Sequence, residues 1–252
     1  MDFPPIPLDH HCSVLRFESP GIWALEKATG VLSHPNKESK KSTKQRTLLN
    51  ADYLHEEECY HWTNNEGKIQ KLFLIHRLDS PTSGIILAAS SQLVAKEIKS
   101  LFSKKEVKKT YYAIIKPNAQ IKEGVWKDHL KEKREGGKIR VLRGNGQIAL
   151  TKVSIERKKS GLYGLAMLRL EPLTGRTHQL RVQCALRGLP IVGDKNYGDF
   201  TFNRKIARAS KIDRLTLHAT EISLNFNFEN EDVDFFADSP LPRSMGKLLA
   251  YR

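Results

Sequence analysis

The sequence predicts an α+β fold, short strands with flanking helices and loops, and three observations carry that expectation. Two apolar runs, residues 72–75 and 85–89, flank the polar, tightly turned stretch 76–84, as two buried strands joined by a loop would. Val94, Ile98, Leu101 and Phe102 recur at helical spacing behind Ser91, a good N-cap, and mark an amphipathic helix over Gln92–Lys104. Ile222, Leu224, Phe226 and Phe228 alternate with Ser223, Asn225 and Asn227, the period of a half-exposed strand.

In chain order, residues 1–20 hold four prolines and read as an extended arm, ahead of a domain over residues 21–252. Residues 22–27 form a strand candidate closed by Thr29 and Gly30, and residues 31–35 continue it. Residues 36–46 carry Lys37, Lys40, Lys41, Lys44 and Arg46 and read as a solvated loop, with phosphate gripping as the alternative. Residues 46–54 are expected to form a short helix. The stretch His55 to His61 begins like a zinc-protease signature but fails on spacing, because the residue four after His55 is Cys59.

Residues 76–84 place Arg77 and Asp79 on a loop at the mouth of a sheet, with Pro81 and Gly84 as turn residues. After the helix, Lys104, Lys105, Lys108 and Lys109 precede the β-prone run 110–115, where Tyr111 suits either a core or a groove that takes an unstacked base. Residues 118–147 read as hairpin loops over a basic face. Gly144, Gly146 and the residues after them match a dinucleotide fingerprint by spelling only, since strands rather than a helix follow, and a glycine turn is expected. Strands are expected along residues 148–155 and 162–170. Pro172 to Arg176 end them, and Thr177 is expected to cap a helix over 178–187 ending at Gly188. Arg181 lies among the apolar residues of that helix and therefore needs an anionic partner, for which Asp79 is the candidate. Residues 221–238 hold six acids and no Lys or Arg, so this edge should face away from a polyanion.

The totals bound the function. With 42 Lys and Arg against 28 Asp and Glu, a net charge of +14 and a pI near 9.7, the protein calls for a polyanionic partner, nucleic acid first and an anionic membrane surface second. No apolar stretch approaches bilayer length and the first residues lack the order of a signal peptide, so a cytosolic protein is expected. Cys12, Cys59 and Cys184 fit neither a disulfide framework nor a zinc cluster, and reduced residues and no metal are expected.

Four motifs in order, 76–79 with 82–84, 109–113, 175–182, and 189–194 with Tyr197 and Gly198, resemble the RluA-type RNA pseudouridine synthases across roughly residues 22–245. The resemblance implies a mixed, mostly antiparallel central sheet with flanking helices, two lobes around one active-site cleft across the sheet. It implies isomerisation of uridine in structured rRNA or tRNA, without a cofactor. It places the nucleophile on Asp79, base contact and proton transfer on Tyr111, pairing with the catalytic carboxylate on Arg181, and flipping of the nucleotide on Arg77. His76, Thr82, Lys109, Arg176 and His178, with the basic Lys104, Lys105 and Lys108, complete the expected RNA contacts. A monomer without an obligate protein partner or a further N-terminal RNA-binding module is expected.

Elementary chemistry agrees. A carboxylate nucleophile acts ionised, and a guanidinium beside it favours that form and fixes its orientation. Extracting a base from RNA structure costs a few kcal/mol, on the order of unstacking, which aromatic stacking and phosphate contacts offset. The sequence departs from the usual family pattern at Glu26 to Gly30 and at Gln183, where a histidine is common. An RNA-binding protein or chaperone of the same fold is the alternative function. A hydrolytic glycosidase would ordinarily need two carboxylates, and the motifs supply one.

Overall fold

The computed structural model describes residues 4–37, 45–135 and 138–251. The chain divides into two compact units, Met1–Val107 with Glu221–Ser239 and Lys108–Thr220 with Pro240–Arg252. The first unit begins with strands β1 (Ser13–Glu18), β2 (Ile22–Lys27), β3 (Asp52–Leu54), β4 (Cys59–Thr63), β5 (Ile69–Leu74) and β6 (Ser83–Ala89) and helix α1 (Gln92–Lys104). The second holds β7 (Lys108–Ile115), β8 (Gly124–Glu135), β9 (Lys138–Arg143), β10 (Gln147–Ser160), β11 (Leu165–Pro172), α2 (Gln179–Leu186) and α3 (Phe200–Ser210). Strand β12 (Leu217–Phe228) starts in the second unit and continues into the first, where β13 (Glu231–Asp238) follows; α4 (Arg243–Leu249) belongs to the second. The expected α+β class with a mostly antiparallel sheet is what forms: β1–β2, β2–β6, β3–β4, β4–β5, β5–β6, β7–β11, β8–β9, β8–β10, β10–β11 and β12–β13 pair antiparallel, and a parallel contact occurs at the isolated bridge Leu32–Thr47.

In the first unit β6 is buried from end to end because both its faces are covered. Ile85, Leu87 and Ala89 pack with Val94, Ile98 and Leu101 of α1, while Ile86 and Ala88 pack with Trp23, Leu25 and Tyr60. Successive side chains of a strand point to opposite faces, so only a continuous apolar run satisfies both. Helix α1 starts as expected, with Ser91 Oγ accepting from the Val94 amide. In the second unit β7 alternates likewise: Tyr111, Ala113 and Ile115 meet one cluster with Leu168 and Leu180, and Tyr112 and Ile114 meet another with Met245 and Leu248.

Several local expectations are corrected. Residues 46–54 are not helical; Leu8 bridges Leu49, Thr47 bridges Leu32, and β3 occupies the end of the stretch. Leu48 and Leu49 are buried by partners far along the chain, which overrides local propensity. Within the proline-rich arm, β1 pairs with β2. Helix α2 is capped by His178 in a left-handed conformation, φ +53°, not by Thr177, and no side-chain cap bond is made. Helix α3 has no counterpart among the expected elements; Asp199 caps it through the Phe202 amide, and Ile206 is its one fully buried residue, too narrow a stripe for periodicity to reveal. Residues 118–147 form a long β8–β9 hairpin, of which 136–137 lie outside the described residues, as do Lys40, Lys41 and Lys44 of the basic 36–46 stretch. The turn before β10 is a glycine turn, as expected: a Cβ on Gly146 would lie 2.0 Å from the Leu130 carbonyl oxygen. The three cysteines are free thiols. Among the described residues no helix is long and apolar enough to cross a membrane.

Candidate functional site

The 76–84 loop leaves β5 and enters β6, and the segment after β2 holds it in shape. Lys27 is fully buried, and its ammonium donates to the carbonyls of Ala28 at 3.0 Å, Val31 at 2.7 Å and Ser80 at 3.1 Å. Three carbonyl acceptors match the three protons of an ammonium. The Gly30 amide also donates to the Ser80 carbonyl, at 2.8 Å, and Thr29 Oγ1 donates to the Pro81 carbonyl at 2.8 Å. Ser33 Oγ accepts from the Leu78 amide at 3.1 Å and donates to the Leu78 carbonyl at 2.9 Å. The Thr82 amide closes the turn onto the Asp79 carbonyl at 3.0 Å.

These bonds fall on the main chain of residues 78–82 and leave the loop's charged side chains to other uses. Arg77 is exposed and Asp79 half-buried. Thr82, expected to touch RNA, is buried and serves the loop through its amide. His76 is half-buried; its Nε2 accepts from the Leu87 amide at 3.1 Å and its ring lies 5.0 Å from Phe102. Lys104 and Lys105 stand exposed at the end of α1, Lys105 in a left-handed cap.

In the second unit Arg181 is buried in α2 and forms a two-pronged ion pair with Asp194, Nε to Oδ2 at 2.8 Å and Nη2 to Oδ1 at 2.9 Å. Asp194 Oδ1 also accepts from the amides of Asn196 at 2.8 Å and Tyr197 at 3.0 Å. Burial works to raise the Asp194 pKa, but the Arg181 bonds and charge with these two amides outweigh it and hold the carboxyl below its ordinary value. Tyr197 lies under the Arg181 guanidinium at 5.2 Å, and its Oη meets His178 Nδ1 at 2.8 Å and accepts from the Val141 amide at 2.9 Å. The turn that presents Asp194 requires glycine before it: Gly193 has φ +79°, and a Cβ there would lie 1.8 Å from the Arg214 carbonyl oxygen.

Gln183 is fully buried; its Oε1 accepts from Thr151 Oγ1 at 2.6 Å and its Nε2 donates to Asp128 at 2.9 Å. This departure from the family pattern is therefore a satisfied core network. Arg176 is exposed beside a cavity of about 380 Å³ that Lys131, Gln147 and Thr177 also line, and its Nε donates to the Ile148 carbonyl. Tyr111 is half-buried on β7 opposite Leu170; Lys108 is exposed, and burial pushes the Lys109 pKa down. Lys27, Ser33, His34, Asp194 and Tyr197 are the site-building residues that sequence reasoning passes over. Asp194 and Tyr197 stand inside a motif already singled out, which is the available signal.

A family model described as RNA pseudouridylate synthase matches residues 21–186. A Bacillus subtilis protein named as an uncharacterized RNA pseudouridine synthase is 30% identical over 92% of this chain and 70% of its own length. The ribosomal large subunit pseudouridine synthase C of Haemophilus ducreyi is 33% identical over 71% of this chain and 55% of its own, and the tRNA pseudouridine synthase C of Vibrio cholerae 32% identical over 67% and 72%. The chain thus spans between 55% and 72% of these relatives' lengths. Among solved structures, human RNA pseudouridylate synthase domain containing 4 superposes with a TM-score of 0.63 over 94% of this chain and 91% of that one, at 23% identity, a likeness of fold.

Proposed function

Because the chain belongs to the RNA pseudouridylate synthase family, we propose that it isomerises uridine in RNA to pseudouridine, with Asp79 as nucleophile. In that isomerisation the bond between uracil N1 and ribose C1′ breaks, the base turns, and C5 joins C1′. The hydrogen on C5 leaves as a proton and N1 gains one, so the sugar and the base keep all their heavy atoms. The observation that supports Asp79 most is the fastening of its loop: hydrogen bonds from the side chains of Lys27, Thr29 and Ser33 hold the main chain of Leu78, Ser80 and Pro81, so a half-buried carboxylate is carried on a fixed backbone. A fixed nucleophile saves the entropy of positioning it during reaction. Base contact by Tyr111 and orientation of the reacting carboxylate by Arg181, which the resemblance implies, are part of this proposal. So is a substrate drawn from rRNA or tRNA, the two classes that the relatives' names mention.

Tritium release from RNA labelled with 5-tritiated uridine tests the proposal, because the C5 hydrogen is lost when the base rejoins through C5. The intact protein is expected to release tritium, and Asp79→Asn to abolish release while RNA binding persists. Undiminished release by Asp79→Asn removes the nucleophile assignment, and binding without release by the intact protein supports the alternative, an RNA-binding protein. Mapping pseudouridines in RNA from cells with and without the protein identifies the target.

A further inference from the structure

Arg77 is exposed, and an exposed arginine on a loop ordinarily samples many rotamers. Here its Nη1 lies 3.1 Å from His34 Nε2. His34 Nδ1 lies 2.8 Å from the Pro35 carbonyl oxygen. A carbonyl only accepts and a guanidinium only donates, so these two partners leave His34 one arrangement: neutral, with its proton on Nδ1 and a lone pair on Nε2 aimed at Arg77. The surroundings favour that form, since burial first, then the charges of Arg77 and His55, hold the imidazole pKa below its ordinary value against the Pro35 bond and Glu58.

The ring itself is held. It stacks on Tyr53 with centroids 5.2 Å apart and an interplanar angle of 13°, and meets His55 edge-on at 5.8 Å. The residue before it is anchored twice: buried Tyr60 donates its Oη to the Ser33 carbonyl at 2.8 Å, and Ser33 Oγ holds both the amide and the carbonyl of Leu78. Residues 33–34 thus grip residues 77–78 through backbone and side chain together, one residue ahead of Asp79.

We propose that His34 is a positioning residue for Arg77, fixing the guanidinium where it acts on the target nucleotide. The proposal rests on the activity and on the Arg77 role put forward above.

The test uses the full chain in single turnovers, with enzyme in excess over total RNA labelled with 5-tritiated uridine and drawn from cells lacking the protein. His34→Ala is expected to lower the maximal rate constant about tenfold, the kinetic equivalent of one positioning hydrogen bond to a charged group, and to leave the half-saturating enzyme concentration in place. His34→Gln, whose amide oxygen reaches about as far as Nε2, is expected to restore most of the rate. In an Arg77→Ala background His34→Ala is expected to cost nothing further, because the two residues act as one unit. An equal loss on both backgrounds, or a glutamine variant no better than alanine, overturns the proposal and leaves His34 a structural residue. Wild-type protein that releases no tritium overturns the activity and this inference together; wild-type release matched by His34→Ala overturns this inference alone.

Discussion

The loop of residues 76–84 in the first unit and helix α2 in the second carry the two charged groups with the strongest functional claim, and they are secured in opposite ways. The loop is secured through its main chain: Lys27, Thr29, Gly30 and Ser33 bond to backbone atoms of Leu78, Ser80 and Pro81. Arg181 is secured through its side chain, by Asp194, in the buried interior. A site held by its backbone can change side chain without losing shape. A site held by a buried ion pair cannot, because removing either partner takes a charge-assisted bond out of the interior.

The largest effect that sharpens this contrast is Asp194→Ala, expected to cost about 3–5 kcal/mol by removing the buried two-pronged ion pair with Arg181. Urea unfolding measures it, and a cost under about 1 kcal/mol, the range of an exposed pair, would erase the distinction. The pH dependence has a definite sign. The Asp194 carboxyl sits below its ordinary value when folded, so its contribution to stability is fully present above the unfolded carboxylate range and is lost as pH falls through the folded value. Asp194→Asn should therefore show a flatter acid limb of stability than the parent.

Next comes Lys27→Met, which keeps the volume and removes the ammonium from three carbonyls, with an expected cost of roughly 1–3 kcal/mol. Turnover should fall further than stability explains, since the loop loosens. Activity that stays at the parent level in a folded Lys27→Met protein would show that the main-chain fastening does not matter to catalysis. Asp79→Asn should sit at the other pole, within about 0.5–1 kcal/mol of the parent in stability while inactive. The smallest effect on the fold is expected from Lys104, Lys105 and Lys108 changed together to Ala. All three are exposed, so melting should not change, whereas the dependence of log affinity for RNA on log salt should flatten by roughly 2, near 0.7 for each single-strand phosphate that a lysine no longer neutralises. An unchanged slope would remove them from the interface.

Local pattern accounts for what can be read in advance. Strand β6 is visible because an uninterrupted apolar run fits only a strand covered on both faces, and α1 because an N-cap and an apolar stripe coincide. The basic charge points to a polyanion, and the motifs around Asp79, Tyr111 and Arg181 carry the family. Helix α3 escapes because its cations outnumber its buried residues, and residues 46–54 mislead because the partners of Leu48 and Leu49 are distant in the chain.

The sequence by itself determined the α+β class, the main buried strands and the identity of the candidate nucleophile. Tertiary structure alone decided what holds them: Asp194 beside Arg181, His34 beside Arg77 across 43 positions, and Lys27 beneath Ser80 across 53. Periodicity records which face of an element meets the core. A hydrogen bond, by contrast, needs two atoms within about 3 Å in one direction, and that proximity exists only after the chain has folded.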